Sequence, residues 1–284
     1  MDYARKIDFA INLLRNIPTD NGPIEVSYSG GKDSDVILEL AKMAGIPFEA
    51  IYKQTTIDPP GTTAHAKEVG ATIVRPKETF LQLIERRGWP TRRARFCCEV
   101  LKEYKIRDNA IQGIRRCEST ARAKRYHEPE ICRTYPHKEK ARVYLPILEW
   151  TDEDVERFIT ERGIKCHPLY YDENGKFRVE RRLGCIGCPL AKGNGIHDFK
   201  QYPKMLSAWI RAAEKYLASH PNTKAAERFG NAYNLAYHNL FTDSLEQYYD
   251  RVTGGLFPEN AIDTKEYLES YFNITDGQNR QTST

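Results

Sequence analysis

A short β-type run, Ile24-Glu25-Val26-Ser27-Tyr28, ends in Ser29-Gly30-Gly31 and passes at once into a helical pattern from Asp33 to Ala44, with Gly45 just beyond it. A strand that feeds directly into a helix must lay that helix back across its own sheet, so the unit belongs in a layered α/β structure. The rhythm then repeats. Residues 48–52 read as a second strand, 62–69 as a helix, 72–74 as a third strand, and 80–87 as a helix before Gly88. Residues 109–114 and 143–147 add two more strands, and Thr151 caps a helix through Arg162 that stops at Gly163. The alternation predicts a doubly wound, mainly parallel sheet. We expect a nucleotide-binding α/β core over residues 1–165, a cysteine-bearing loop over 166–195 and a helical extension over 196–284. In the extension Met205, Trp209, Ala212, Ala213 and Tyr216 recur at helical spacing, a core-facing stripe.

With 284 residues, 40% of them hydrophobic, the chain can fill one core with an appendage, which excludes a multi-domain machine. No apolar run approaches the ~20 residues of a membrane span, and no signal-peptide core follows the opening Met-Asp-Tyr-Ala-Arg-Lys. A cytoplasmic location without membrane association is the expectation. Seven cysteines cannot all pair, and a reducing compartment disfavours disulfides, so their spacing points first to metal, cluster or redox chemistry. The net charge of +4 is uneven: Arg86 to Arg142 holds 17 Lys and Arg against 7 Asp and Glu. That basic middle suggests an anionic partner, either phosphate or sulfate groups of a small substrate or nucleic acid.

Ser27-Tyr28-Ser29-Gly30-Gly31-Lys32-Asp33-Ser34 is a constellation for anions. Paired glycines let backbone N–H groups converge, and the following helix adds its positive end, so phosphate is the natural occupant. Lys32 supplies charge, Ser29 and Ser34 supply hydroxyls, and Asp33 is either a helix cap or a magnesium contact. Arg115, Arg116 and Arg122 follow a strand at the carboxyl edge of the sheet, where guanidinium groups suit phosphate or sulfate; the competing reading pairs them with Glu118 and neighbouring acids.

The string lacks the longer Walker spacing and resembles the pyrophosphate loop, Ser-Gly-Gly-x-Asp-Ser, of the PP-loop ATP pyrophosphatase superfamily. Further segments resemble the phosphoadenylylsulfate (PAPS) reductase family within it. These are Thr55-Thr56-Ile57-Asp58 before a helix, Gly113-Ile114-Arg115-Arg116-Cys117-Glu118-Ser119-Thr120-Ala121-Arg122, Pro146 to Trp150, and His167-Pro168-Leu169-Tyr170. The likeness covers roughly residues 20–200. It implies that ATP, or PAPS or adenylylsulfate, contacts Ser27, Ser29, Gly30, Gly31, Lys32, Asp33, Ser34, Thr56, Asp58, Gly113 and Arg122, with magnesium. Lys32, Asp33, Arg115 and Arg116 are the expected catalytic groups.

Cys97-Cys98 and Cys185-x-x-Cys188 are two close pairs that could wrap one metal centre. Adjacent cysteines are strained around a single zinc ion, whereas a cubane offers each thiolate its own iron; zinc and plain thiols stay open on the residues alone. The arrangement resembles the four cysteines that hold a [4Fe–4S] cluster in iron–sulfur adenylylsulfate reductases and in relatives that insert sulfur into DNA. Those reductases use a further cysteine in a C-terminal tail, and here the last cysteine is Cys188, so Asn279 to Thr284 lacks that thiol. Cys117, Cys132 and Cys166 remain, Cys117 being the best placed to substitute. The family reading is therefore an enzyme that adenylates an acceptor with pyrophosphate release in a sulfur-transfer reaction. DNA or tRNA is a candidate acceptor, a cysteine desulfurase-type protein a candidate sulfur donor, and a homodimer is left open. The alternatives are a sulfonucleotide reductase using an internal cysteine, and a non-catalytic nucleotide- or nucleic-acid-binding module.

Overall fold

The computed structural model describes residues 1–20, 22–135 and 140–274, apart from the side chains of residues 192 and 194. The elements follow in chain order: α1 (Tyr3–Arg15), β1 (Ile24–Tyr28), α2 (Lys32–Ala44), β2 (Phe48–Lys53), α3 (Thr62–Glu68), β3 (Thr72–Val74), α4 (Phe80–Arg87) and α5 (Phe96–Leu101). Next come β4 (Asn109–Ile111), α6 (Thr120–Arg125), β5 (Glu130–Thr134), β6 (Lys140–Tyr144) and α7 (Asp152–Arg162). The chain ends in α8 (Ile196–Gln201), α9 (Pro203–Ser219), α10 (Lys224–Phe229), α11 (Ala232–Phe241), α12 (Leu245–Thr253) and α13 (Thr264–Phe272). Two compact units result: residues 1–77 with 98–184, and residues 78–97 with 185–284. No described helix is long and apolar enough to cross a membrane.

The first unit is the expected α/β fold. Its six strands run in the order β3-β2-β1-β4-β6-β5, parallel throughout except for β5, which pairs antiparallel with β6. β1 lies in the middle and is buried along almost its whole length, as a strand covered on both faces must be. Its register sets Ile24 beside Phe48 and Val26 beside Ala50 on one side, and Val26 beside Ile111 on the other. Val36, Ile37, Leu40 and Ala41 of α2 pack with Val26, Ile111, Trp150 and Phe158 in the main core. α2 stops where Gly45 takes φ +68°, and α7 starts in a reciprocal capping box of Thr151 and Asp154.

Several elements differ from the sequence expectation, and helices α1 and α5 have no counterpart in it. β4 ends at Ile111 rather than 114, because Gly113 leaves the sheet to press against α2. The last strand occupies 140–144 rather than 143–147, since Pro146 cannot donate to a ladder. The antiparallel edge strand β5 was not anticipated; its residues alternate between exposed and half-buried, the signature of an edge with one wet face.

In the second unit Trp209 of α9 is enclosed by Phe80, Trp89 and Phe199, with ring centres 4.5, 5.0 and 5.2 Å away. Leu206, Ile210, Ala212, Ala213 and Leu217 complete the buried face of α9, so the expected stripe is core. Met205 and Tyr216 sit half-buried at its edges.

Candidate functional site

The first unit gathers its chemistry at the carboxyl end of β1. Gly30 has φ +78°, a conformation side chains resist, and a Cβ there would stand 2.8 Å from Thr62 Cγ2. The turn delivers Gly31 to the start of α2, where its carbonyl accepts from Ser34 N–H at 2.8 Å, Asp35 N–H at 3.1 Å and Ser34 Oγ at 2.7 Å. Ser29 Oγ lies 3.3 Å from Ser34 Oγ. Lys32 is 4% exposed, with Nζ 3.6 Å from Asp33 Oδ2 and 5.5 Å from the centre of the Tyr170 ring. Gly113 closes the loop from the β4 side, where a Cβ would come within 2.8 Å of the Asp33 carbonyl oxygen.

A buried polar cluster braces this turn from beneath. Tyr28 donates to Asp35 Oδ1 at 2.5 Å, and His65 Nε2 lies 3.0 Å from the same oxygen. Burial, followed by the Asp35 charge, pushes the Tyr28 hydroxyl far up, so it remains a donor. Burial likewise raises the Cys166 thiol, which makes it an inert core group.

The three expected anion-binding arginines part company. Arg115 is 1% exposed and donates Nε to Asp33 Oδ1 at 2.7 Å and an Nη to Asp152 Oδ1 at 2.8 Å. Burial alone would lower its pKa; Asp33 and then Asp152 carry it above the ordinary value. Arg115 therefore braces the loop through Asp33. Arg116 pairs with Glu149 at 2.9 Å on the surface. Arg122 lines the loop cavity and pairs with Glu118, whose other oxygen accepts from Arg182 at 3.2 Å. Burial first, and Arg182 second, hold the Arg122 guanidinium below its usual pKa. Two guanidiniums sharing one carboxylate leave positive potential over the cavity. Arg182 and Tyr170 line it too, and neither stood out as a ligand contact in the sequence because they reach the loop from about 140 residues away.

The cavity beside the loop has a volume of about 150 Å³. A second, of about 200 Å³, shares Ser27 and Ser29 with it and runs over Tyr52, Asp58, Gln112 and Tyr135. Thr55 donates both N–H and hydroxyl to Asp58 at 2.7 Å, and Thr56 has φ +65°, which makes residues 55–58 a tight turn with Asp58 facing the cavity. Glu25, 1% exposed, lies in the wall and accepts from Ser27 Oγ at 3.0 Å and Lys53 Nζ at 3.4 Å.

All four paired cysteines are half-buried. Cys97 and Cys98 stand at the start of α5. Cys185 and Cys188 bracket a turn closed by a bond from Cys188 N–H to the Cys185 carbonyl at 3.2 Å. Gly187 N–H in that turn donates to Asp198 Oδ2 at 3.0 Å, and Arg92 Nε donates to the Pro189 carbonyl at 2.9 Å. Thiolate donors suit an iron–sulfur cluster chemically. Among the described residues, however, no group of three or more His, Cys, Asp or Glu side chains is arranged to hold a metal ion. Cys117 accepts from Arg115 Nη at 3.2 Å, and its thiol lies 3.2 Å from the Trp150 carbonyl; burial raises its pKa more than Arg115 lowers it.

Residues 23–191, from the strand before the glycine turn to just past the Cys185–Cys188 turn, match the phosphoadenosine phosphosulfate reductase domain family. The chain belongs to that family. This places it in the PP-loop superfamily, in keeping with its loop and sheet. An uncharacterized protein of Methanocaldococcus jannaschii is 30% identical over 211 residues, covering 69% of this chain and 49% of the relative. Sulfate adenylyltransferase subunit 2 of Shewanella frigidimarina is 26% identical over 198 residues, covering 57% of this chain and 65% of the relative. This chain spans about half the length of the archaeal relative. A crystal structure of PAPS reductase from Candida auris aligns over 64% of this chain and 93% of its own, at 16% identity and a TM-score of 0.43.

Proposed function

We propose that this family member binds ATP or a related adenine nucleotide in the first unit and transfers the adenylyl group to an anionic acceptor, releasing pyrophosphate. The observation that carries the reading is the pair of adjoining cavities joined at Ser27 and Ser29: one ringed by Gly31, Lys32, Ser34, Arg122 and Arg182, the other by aromatic and polar groups. The first suits a polyphosphate and the second a nucleoside. An acceptor oxygen forms its bond to the α-phosphorus as the bond to the β-phosphate oxygen breaks, and pyrophosphate leaves with the negative charge. Lys32, Arg122 and magnesium would neutralise that charge, with Asp33 held in place by Arg115. A sulfide-level nucleophile from a sulfur-donor protein can then displace AMP from the acceptor. Cys97, Cys98, Cys185 and Cys188 are proposed as [4Fe–4S] ligands on their spacing and donor chemistry.

The reductase reading is weaker, because a Cys117 thiol held above its ordinary pKa is a poor source of thiolate at neutral pH. A pyrophosphate-release assay run anaerobically with ATP and DNA, tRNA or small-metabolite acceptors tests the proposal. Release that disappears in Lys32→Ala supports it. Thioredoxin-dependent sulfite release from PAPS or adenylylsulfate, with no pyrophosphate from ATP, would replace it with the reductase.

A further inference from the structure

We propose that the second unit carries a binding groove for single-stranded nucleic acid. A cleft of about 830 Å³ is built wholly from that unit, between the segment after α4, the turn holding Gly187 and Pro189, and helices α10 to α12. Five cations, Arg87, Arg92, Arg93, Lys224 and Arg228, stand exposed along it, against the single acid Asp243. Arg92 is anchored to the Pro189 carbonyl. Arg93, Lys224 and Arg228 form no ion pair with any described residue, whereas Lys215 nearby in sequence is matched by Glu85 at 2.8 Å. Inside the cleft, burial first and Arg228 second hold the His238 imidazole below its usual pKa.

Several features select the occupant. Cations spread from the segment after α4 to α10 call for a repeating anion rather than one phosphate. Four of the five are arginines, whose planar fork suits phosphodiester oxygens. Between them Thr91, Asn239 and Ser244 offer neutral hydrogen-bonding groups, and Trp89 and Phe229 lie in an apolar floor. A basic groove with aromatic side chains among its lining is how single strands are held without sequence preference. An acidic protein segment would meet the same charges and forks, and the polyglutamate competition below separates it from a strand. The inference does not depend on the adenylylation reading, since every residue in it lies outside the first unit.

The test is fluorescence anisotropy of the whole chain with labelled twelve-residue oligo-dT and oligo-rU between 50 and 200 mM KCl, the two arms distinguishing DNA from RNA as the source of the strand. Binding should weaken with salt at a slope of about −0.7 per phosphate neutralised. The triple variant Arg93→Glu, Lys224→Glu, Arg228→Glu should weaken binding at least about thirtyfold and flatten the slope by about 2, since three contacts are lost. Lys224 opens α10, where an acidic residue suits the helix end, and all three are exposed and form no ion pair with a described residue, so the fold should survive; unchanged circular dichroism and unchanged ATP binding check this. The inference is overturned if the wild type binds neither oligonucleotide, if the triple variant stays within threefold, if duplex binds more tightly than single strand, or if polyglutamate displaces the strand at equal charge.

Discussion

Replacing Arg115 by methionine keeps the side chain's reach and removes its charge and donors, so it isolates what the guanidinium does for the phosphate loop. The Arg115 side chain is 2% exposed, Asp33 is 17% exposed and Asp152 is 51% exposed. Removing one partner of a fully buried pair costs roughly 3–5 kcal/mol, because the other charge is stranded. Asp33 keeps some water and the Lys32 ammonium 3.6 Å away, which puts its share toward the low end. Asp152 is half solvated, and its share falls below about 1 kcal/mol. The total is about 3 kcal/mol. At roughly 2–4 °C per kcal/mol for a chain of this size, the melting temperature should fall by about 6–12 °C. Asp152→Asn should cost less than about 1 kcal/mol, and Arg115→Lys should recover under half the loss, since a point charge cannot span both carboxylates. Nucleotide affinity should weaken by about tenfold through displacement of Asp33, measured by calorimetry beside thermal and urea unfolding. If Arg115→Met melts within about 2 °C of the wild type yet abolishes nucleotide binding, Arg115 is a ligand contact and the bracing argument is wrong.

Lys32→Ala should leave the fold intact and lower turnover by about 10²–10³, the scale of losing one preorganised charge at the reacting phosphate, read as pyrophosphate release. Gly113→Ala forces a Cβ to within 2.8 Å of the Asp33 carbonyl oxygen, a backbone atom that cannot swing aside, and should cost about 1–3 kcal/mol with a matching loss of nucleotide affinity. Protein purified without oxygen should be brown with about four irons per chain, and Cys188→Ser should remove both colour and iron; stoichiometric zinc without colour would refute the cluster. Burial, followed by the neighbouring His65, lowers the His167 pKa. The unfolded chain then takes up its proton first, so stability is lost as pH falls below about 6.5 toward the depressed folded value. His167→Gln should flatten urea-measured stability across that range.

Much of the first unit was legible because its local signals and its tertiary demands coincide. The glycines at 30, 45 and 163 sit where α2 and α7 begin or end, and Thr151 caps α7 as its sequence suggests. The limits arose where one residue served two masters. Arg115 reads as an anion ligand by type and position, but its depth and the carboxylates of Asp33 and Asp152 turn it inward, and neither depth nor partner is local information. Arg182 joins the loop cavity only through folding, 64 residues from its partner Glu118. β5 escaped because Glu130-Ile131-Cys132-Arg133-Thr134 is short and polar, as an edge strand tends to be. The groove cations of the second unit divide between the basic middle and the helical extension, so neither segment alone announces them.

The brace on the phosphate loop also sets an order of assembly. Asp33 waits for Arg115, 82 residues later, and Arg115 in turn for Asp152, 37 residues beyond. A ribosome that has released only β1 to β3 has exposed the glycine turn without the groups that hold it, so the anion site cannot mature on the nascent chain until Arg115 and the later lining residues Arg122, Tyr170 and Arg182 have emerged. Contacts of that sequence separation are slow to close. Nucleotide capture would thus report completion of the sheet rather than its beginning, and a chain interrupted before α7 carries the motif without the capacity.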